Sequence, residues 1–76
     1  MNRKIRTLTE AVAQESLMTV PEVALAMGVS QPTVYGWAKK GTLPSIKLEI
    51  GRRFDPLEVK AFIDDRRQRK VGYEQN

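Results

Sequence analysis

The chain has 76 residues, no cysteine and no histidine, and its 13 basic residues against 9 acidic ones give a formal net charge of +4. That length allows one small domain with one modest core. The two missing residue types exclude disulfides, cysteine-ligated zinc, thiol catalysis and the usual general base. No apolar run is long enough for a membrane span or a secretory signal, so a cytoplasmic protein is expected.

A basic balance suggests nucleic acid, but ribosomal proteins and membrane-surface binders share it, so the placement of the charges matters more than their sum. They fall into four groups: Arg3, Lys4 and Arg6; Lys39 and Lys40; Lys47, Arg52 and Arg53; and Arg66, Arg67, Arg69 and Lys70. The first group opens residues 1–18, which read as a basic arm or a weak helix. A mobile arm there either reaches a groove or stays solvated. Leu8 to Leu17 fits a weak helix with Leu8, Val12 and Ala13 on its apolar side, or else a disordered lead-in.

Residues 19–69 carry the organising pattern. Val20, Val23, Ala24 and Met27 are spaced i, i+3, i+4, i+7, the apolar stripe of a short amphipathic helix. Thr19 fits its cap, Glu22 completes a capping box and Pro21 is tolerated in the first turn. Gly28 ends it, and Ser30 caps a second helix that has Pro32 in its first turn. The small Ala24 lets the second helix cross closely, Val29 plugs the corner, and Val34 and Trp37 point back at Val23 and Met27. This is the apolar frame of a helix-turn-helix, in register over about twenty residues; the alternative is a helical hairpin serving only as core. Trp37 reads as a core anchor and not as a stacking platform.

At about 100° per residue the opposite face of the second helix carries Pro32, Thr33, Gly36, Lys39 and Lys40, with Tyr35 at its margin. In a helix-turn-helix that face enters the major groove, which makes Gln31, Thr33 and Tyr35 the base-proximal candidates. Gln can pair with adenine, and Thr offers a hydroxyl and a methyl. Lys39 and Lys40 suit phosphates or the helix dipole; for each residue the bland alternative is solvated surface.

Gly41 and Pro44 stop the second helix. Ser45 to Leu48 then alternates polar and apolar, Glu49-Ile50-Gly51 supplies a turn, and Arg52-Arg53-Phe54 pairs back. A short hairpin after a recognition helix is a wing. Ile46, Leu48 and Phe54 are expected to face the core, leaving Lys47, Arg52 and Arg53 for the DNA backbone or minor groove, or for a solvated edge. Asp55-Pro56-Leu57-Glu58 starts a C-terminal helix to about Gln68, with Val59, Phe62 and Ile63 packing on the wing and the first helix. Residues 70–76 read as a flexible tail, with Val71 and Tyr73 as an adhesive strip for a second subunit.

The fold expected is therefore mainly α with a small β-hairpin, a winged helix-turn-helix made of helix-turn-helix, two-stranded wing and C-terminal helix. Thr19 to Ala24, Gly28-Val29-Ser30, Thr33-Val34-Tyr35, Gly41 to Pro44, Phe54-Asp55-Pro56, Glu58-Val59 and Ala61-Phe62-Ile63 resemble an excisionase-type winged helix-turn-helix domain, a family related to the MerR-like DNA-binding domains. The resemblance covers about Met18 to Asp65. Two positions depart from the pattern. Many relatives carry an arginine after the recognition-helix tyrosine, where this chain has Gly36, and their Gly-Arg-Arg wing turn lies earlier than Gly51-Arg52-Arg53.

The resemblance implies an excisionase, or recombination directionality factor: a non-catalytic protein that binds double-stranded DNA in several copies, bends it and helps an integrase excise a mobile element. The family also includes prophage activators and plasmid regulators, so a transcriptional regulator is the alternative. A protein-interaction module is the more distant one. No cofactor, metal, small-molecule ligand or membrane partner is expected. Asp64-Asp65 is the only adjacent carboxylate pair, and no base, nucleophile or phosphate-cradling loop accompanies it, so enzymatic activity is not expected. Gly36 leaves direct base readout thin, or permits a close backbone approach.

Overall fold

The computed structural model describes residues 5–74, with side chains described through residue 67. Its elements run α1 (Leu8–Gln14), α2 (Val20–Met27), α3 (Gln31–Lys40), β1 (Ile46–Leu48), β2 (Gly51–Arg53) and α4 (Pro56–Glu74). This is the winged helix-turn-helix order expected from the sequence, with one helix before it.

Local chemistry fixes most boundaries. Both α1 and α2 open with a full capping box: Thr7 with Glu10, and Thr19 with Glu22. In α2 the Thr19 hydroxyl accepts from the Glu22 N–H at 3.3 Å, and Glu22 Oε1 accepts from the Thr19 N–H at 2.9 Å. Gly28 and Gly41 close α2 and α3 in the left-handed region, at φ 71° and 81°, where a β-carbon is costly. The α1 helix ends the same way at Glu15, φ 54°.

The core is small and continuous. Met18, Val23, Val34, Leu43, Phe54 and Val59 are its largest fully buried side chains, and Trp37, Met27, Val29, Phe62 and Ile63 pack around them. Helices α2 and α3 cross as the helix-turn-helix frame requires, with Val23 and Ala24 buried on one and Val34 and Ala38 on the other. Trp37 lies against Phe62 of α4, ring centroids 5.1 Å apart and tilted by 56°, an arrangement aromatic quadrupoles favour. The core-anchor reading of Trp37 matches this placement.

Four expectations are corrected. The lead-in takes the helical one of its two expected forms, but its buried residue is Ala11, and Ala13, expected on the apolar side, is exposed. Ala11 is buried in the core, and α1 is the helix against which α4 mainly packs, in place of the wing. The α4 helix itself continues past Gln68 to Glu74, so residues 70–74 extend it; the Val71 and Tyr73 side chains lie outside the described residues.

The fourth correction concerns the wing. Strand alternation places Ile46 and Leu48 toward the core, yet they are 42% and 41% exposed, and only Phe54 is buried. The register gives the reason: Ile46 pairs with Arg53, Lys47 with Arg52 and Leu48 with Gly51. Cross-strand partners share a face and neighbours along a strand alternate. Phe54 therefore belongs with Arg52 and Lys47, and Ile46 and Leu48 fall on the other side with Arg53. Phe54 extends the hairpin by a bridge to Met18, whose N–H and C=O bond its C=O and N–H at 2.7 and 2.9 Å. That bridge staples the base of the wing to the segment ahead of α2.

Candidate nucleic-acid interface

The N-terminus of α3 is built by Ser30, whose side chain accepts from the Thr33 N–H at 3.3 Å. Its hydroxyl also lies 2.9 Å from the Thr33 hydroxyl. The Thr33 oxygen is thus held in place by the cap. Gln31, Pro32, Thr33, Tyr35, Lys39 and Lys40 are all exposed, with Tyr35 at 50%. By helical periodicity Pro32, Thr33, Gly36 and Lys40 lie opposite Val34 and Ala38, Tyr35 and Lys39 lie to one side, and Gln31 lies in the first turn on the same flank as Ala38. In the middle of the outward side stands Gly36, where an added β-carbon would meet no atom within 4 Å. Packing therefore does not demand a glycine there.

On the wing, Lys47 is exposed, while Arg52 and Arg53 are half-buried. Arg52 Nη1 donates to Ser45 Oγ at 2.9 Å, and Arg53 Nη1 donates to the Arg52 carbonyl at 2.9 Å. Neither arginine sits at the tip. The turn residues are Glu49 and Ile50, and the backbone excursion that closes the hairpin falls on Gly51 at φ 127°. Lys47 and Arg52 face each other across the strands, so their charges lie on one face and Arg53 lies on the other.

A polar cluster that composition alone assigns differently joins the segment before α1 to the start of α2. Sequence position groups Arg6 with a mobile basic arm. In the structure its Nε donates to Glu22 Oε2 at 3.0 Å and Nη2 to Oε1 at 3.1 Å, a bidentate fork. Its Nη1 reaches Gln14 Oε1 at 2.9 Å and the Ser16 hydroxyl, and Nη2 also reaches the Leu17 carbonyl. The hydrogen bonds from Arg6, aided by the Thr19 N–H, outweigh burial and lower the Glu22 carboxyl from 4.5 to about 2. The same pairing with Glu22 raises Arg6. As a capping residue alone, Glu22 gives no sign of its second partner sixteen positions earlier. Ile5, next to this clamp, lines a shallow depression with Gly28, Ser30 and Gln31 at the helix-turn-helix corner. Arg3 and Lys4 lie outside the described residues.

Of the C-terminal basic group, Arg66 lies with its guanidinium carbon 4.3 Å from the Phe62 ring centroid and 5.2 Å from that of Trp37. A cation at that range is attracted by the ring faces, so Arg66, itself exposed, lies over the α3–α4 contact.

Residues 17–67 match the family model described as a helix-turn-helix domain. The chain belongs to that family. It is accordingly a small DNA-binding protein, and the helix-turn-helix proper is α2, the Gly28 corner and α3. Comparison with curated proteins and with solved structures gives no match. The matched span of the helix-turn-helix domain begins just after α1, so α1 and the Arg6 half of the clamp lie outside it.

Proposed function

We propose that this helix-turn-helix protein acts architecturally on double-stranded DNA, as an excisionase-type recombination directionality factor. In this reading Gln31, Thr33 and Tyr35 approach base edges in the major groove, Lys39 and Lys40 hold phosphates at the end of α3, and Lys47, Arg52 and Arg53 engage the backbone beside it. The protein carries out no covalent step. Copies bound side by side bend the attachment-site DNA and bring integrase-bound segments together.

The observation that carries the reading is Gly36. The centre of the outward face of α3 has no side chain, although the surrounding space would admit one. A recognition helix built for strict readout would fill that position with a donor. With it empty, discrimination leans on DNA shape and repeated sites, which is the requirement of an architectural protein. The resemblance of Thr19 to Ile63 to excisionase-type domains supplies the recombination context, and a DNA-associated cytoplasmic location goes with it.

Footprinting on the DNA adjoining the gene, with and without the element's integrase, tests this. Several adjacent protected sites, a bend and increased excision are expected. One isolated site over a promoter, with no bend and no change in excision, would replace this reading with that of a transcriptional regulator.

A further inference from the structure

The wing leaves apolar surface in the wrong place for a stable fold. Leu43 and Phe54 are fully buried and anchor its two ends, while every residue between them is exposed or half-buried. Ile46 and Leu48 share the outer face of the hairpin, and Ile50, in the turn at its tip, is 75% exposed. Turns favour Gly, Pro, Asn, Asp and Ser, each for a conformational reason that isoleucine does not share. Neither the turn nor the core accounts for Ile50.

Charge selects what covers it. The hairpin carries Lys47, Arg52 and Arg53 against Glu49, three cations to one anion. An identical hairpin from a second copy would bring like charges together, whereas a phosphate-lined groove is attracted to them. The dimensions agree. Strands of three residues project about 10 Å from the stapled base. A B-DNA minor groove is about 6 Å wide and 7.5 Å deep. Two strands about 4.8 Å apart with their side chains are too broad to enter it whole, but a single isoleucine at the tip is not.

We propose that Ile50 is a minor-groove wedge: the wing's cations settle on the flanking phosphates while the Ile50 side chain presses between base steps, opening them and bending the duplex toward the major groove. This deepens the architectural reading and rests on its DNA binding. It assigns the bend to the wing and the register to α3. Pyrimidine–purine steps, the most easily unstacked, are where the wedge enters.

The test uses the full chain and a short A·T-rich duplex with 2-aminopurine at a TA step and a donor–acceptor dye pair at its ends. Binding of the unaltered protein raises 2-aminopurine fluorescence and end-to-end energy transfer. Ile50→Ala abolishes both rises and weakens affinity about tenfold, the loss of roughly one buried side chain, with the salt slope unchanged. Ile50→Leu restores them, and Leu57→Ala, a control at another exposed apolar side chain on α4, changes nothing. Binding with no fluorescence rise, or an Ile50→Ala protein that bends DNA as before, overturns the wedge and leaves DNA binding standing. A free protein that self-associates and loses this with Ile50→Ala assigns Ile50 to a second copy and also overturns the wedge. No salt-dependent binding to any duplex would sink both this inference and the reading beneath it.

Discussion

Replacing Glu22 with glutamine isolates the charge of the Arg6–Glu22 pair, because the amide oxygen can still accept the Thr19 N–H that the carboxylate accepts now. The carboxyl falls from an ordinary 4.5 to about 2 in the folded protein, and each tenfold change in proton affinity is worth about 1.4 kcal/mol. Arg6 and the Thr19 N–H together accordingly supply up to about 3 kcal/mol through this carboxylate, most of it from Arg6. A depressed carboxyl contributes fully above its unfolded value and loses that contribution as pH falls toward its folded one. Glu22→Gln is therefore expected to cost about 2–3 kcal/mol at pH 7, partly because Arg6 is left without its counter-charge. The deficit should shrink between pH 4.5 and about 2, where the unaltered protein loses the same interaction. Urea unfolding of both proteins across that range measures it. A deficit that stays constant with pH, or lies below about 0.5 kcal/mol at neutrality as for an exposed pair, would refute the assignment.

Gly36→Ala should raise stability by about 1 kcal/mol, the helix-propensity difference, since an added β-carbon meets nothing; thermal unfolding reads it. If DNA affinity drops at the same time, the backbone of α3 approaches the groove there. Thr33→Ala should weaken a preferred duplex by about 1–3 kcal/mol in gel shifts while leaving random duplex unchanged; an equal loss on both removes Thr33 from the reading residues. Arg52→Ala with Arg53→Ala should weaken both duplexes alike and flatten the log affinity–log salt slope by about 0.9 for each phosphate that is no longer neutralised. An unchanged slope would show that their bonds to Ser45 and the Arg52 carbonyl are their whole role.

The helix-turn-helix was legible because its instructions are local. Thr19, Glu22, Gly28, Ser30 and Gly41 each act within a few residues, and capping and left-handed closure depend on little else. The outward face of α3 followed from helical periodicity once Val34 and Ala38 were placed inside. The wing is harder to orient although its alternation is real. Period two states which residues share a side and is silent on which side is inside. The inward side is settled by Phe54 bridging to Met18, a partner far away in sequence. The buried side of α1 is hidden for a related reason: its apolar residues Leu8, Ala11, Val12 and Ala13 do not say which of them the distant α4 will cover, and it is Ala11 that is buried.

Arg6 and Glu22 show the same limit in their charges. Basic residues near a chain end invite assignment to a nucleic-acid arm, because their number is visible and their partners are not. Here one of three is spent on a bidentate pair that ties the segment before α1 to the start of α2. The basic surface open to DNA is thus smaller than the composition suggests. Arg6 faces Glu22, and Arg66, although exposed, lies over the Trp37 and Phe62 rings. Lys39, Lys40 and Lys47 remain exposed along α3 and the wing. On the proposed reading one copy brings Lys39, Lys40, Lys47, Arg52 and Arg53 to the phosphates, a modest number for firm binding, which is why that reading has copies side by side on the DNA.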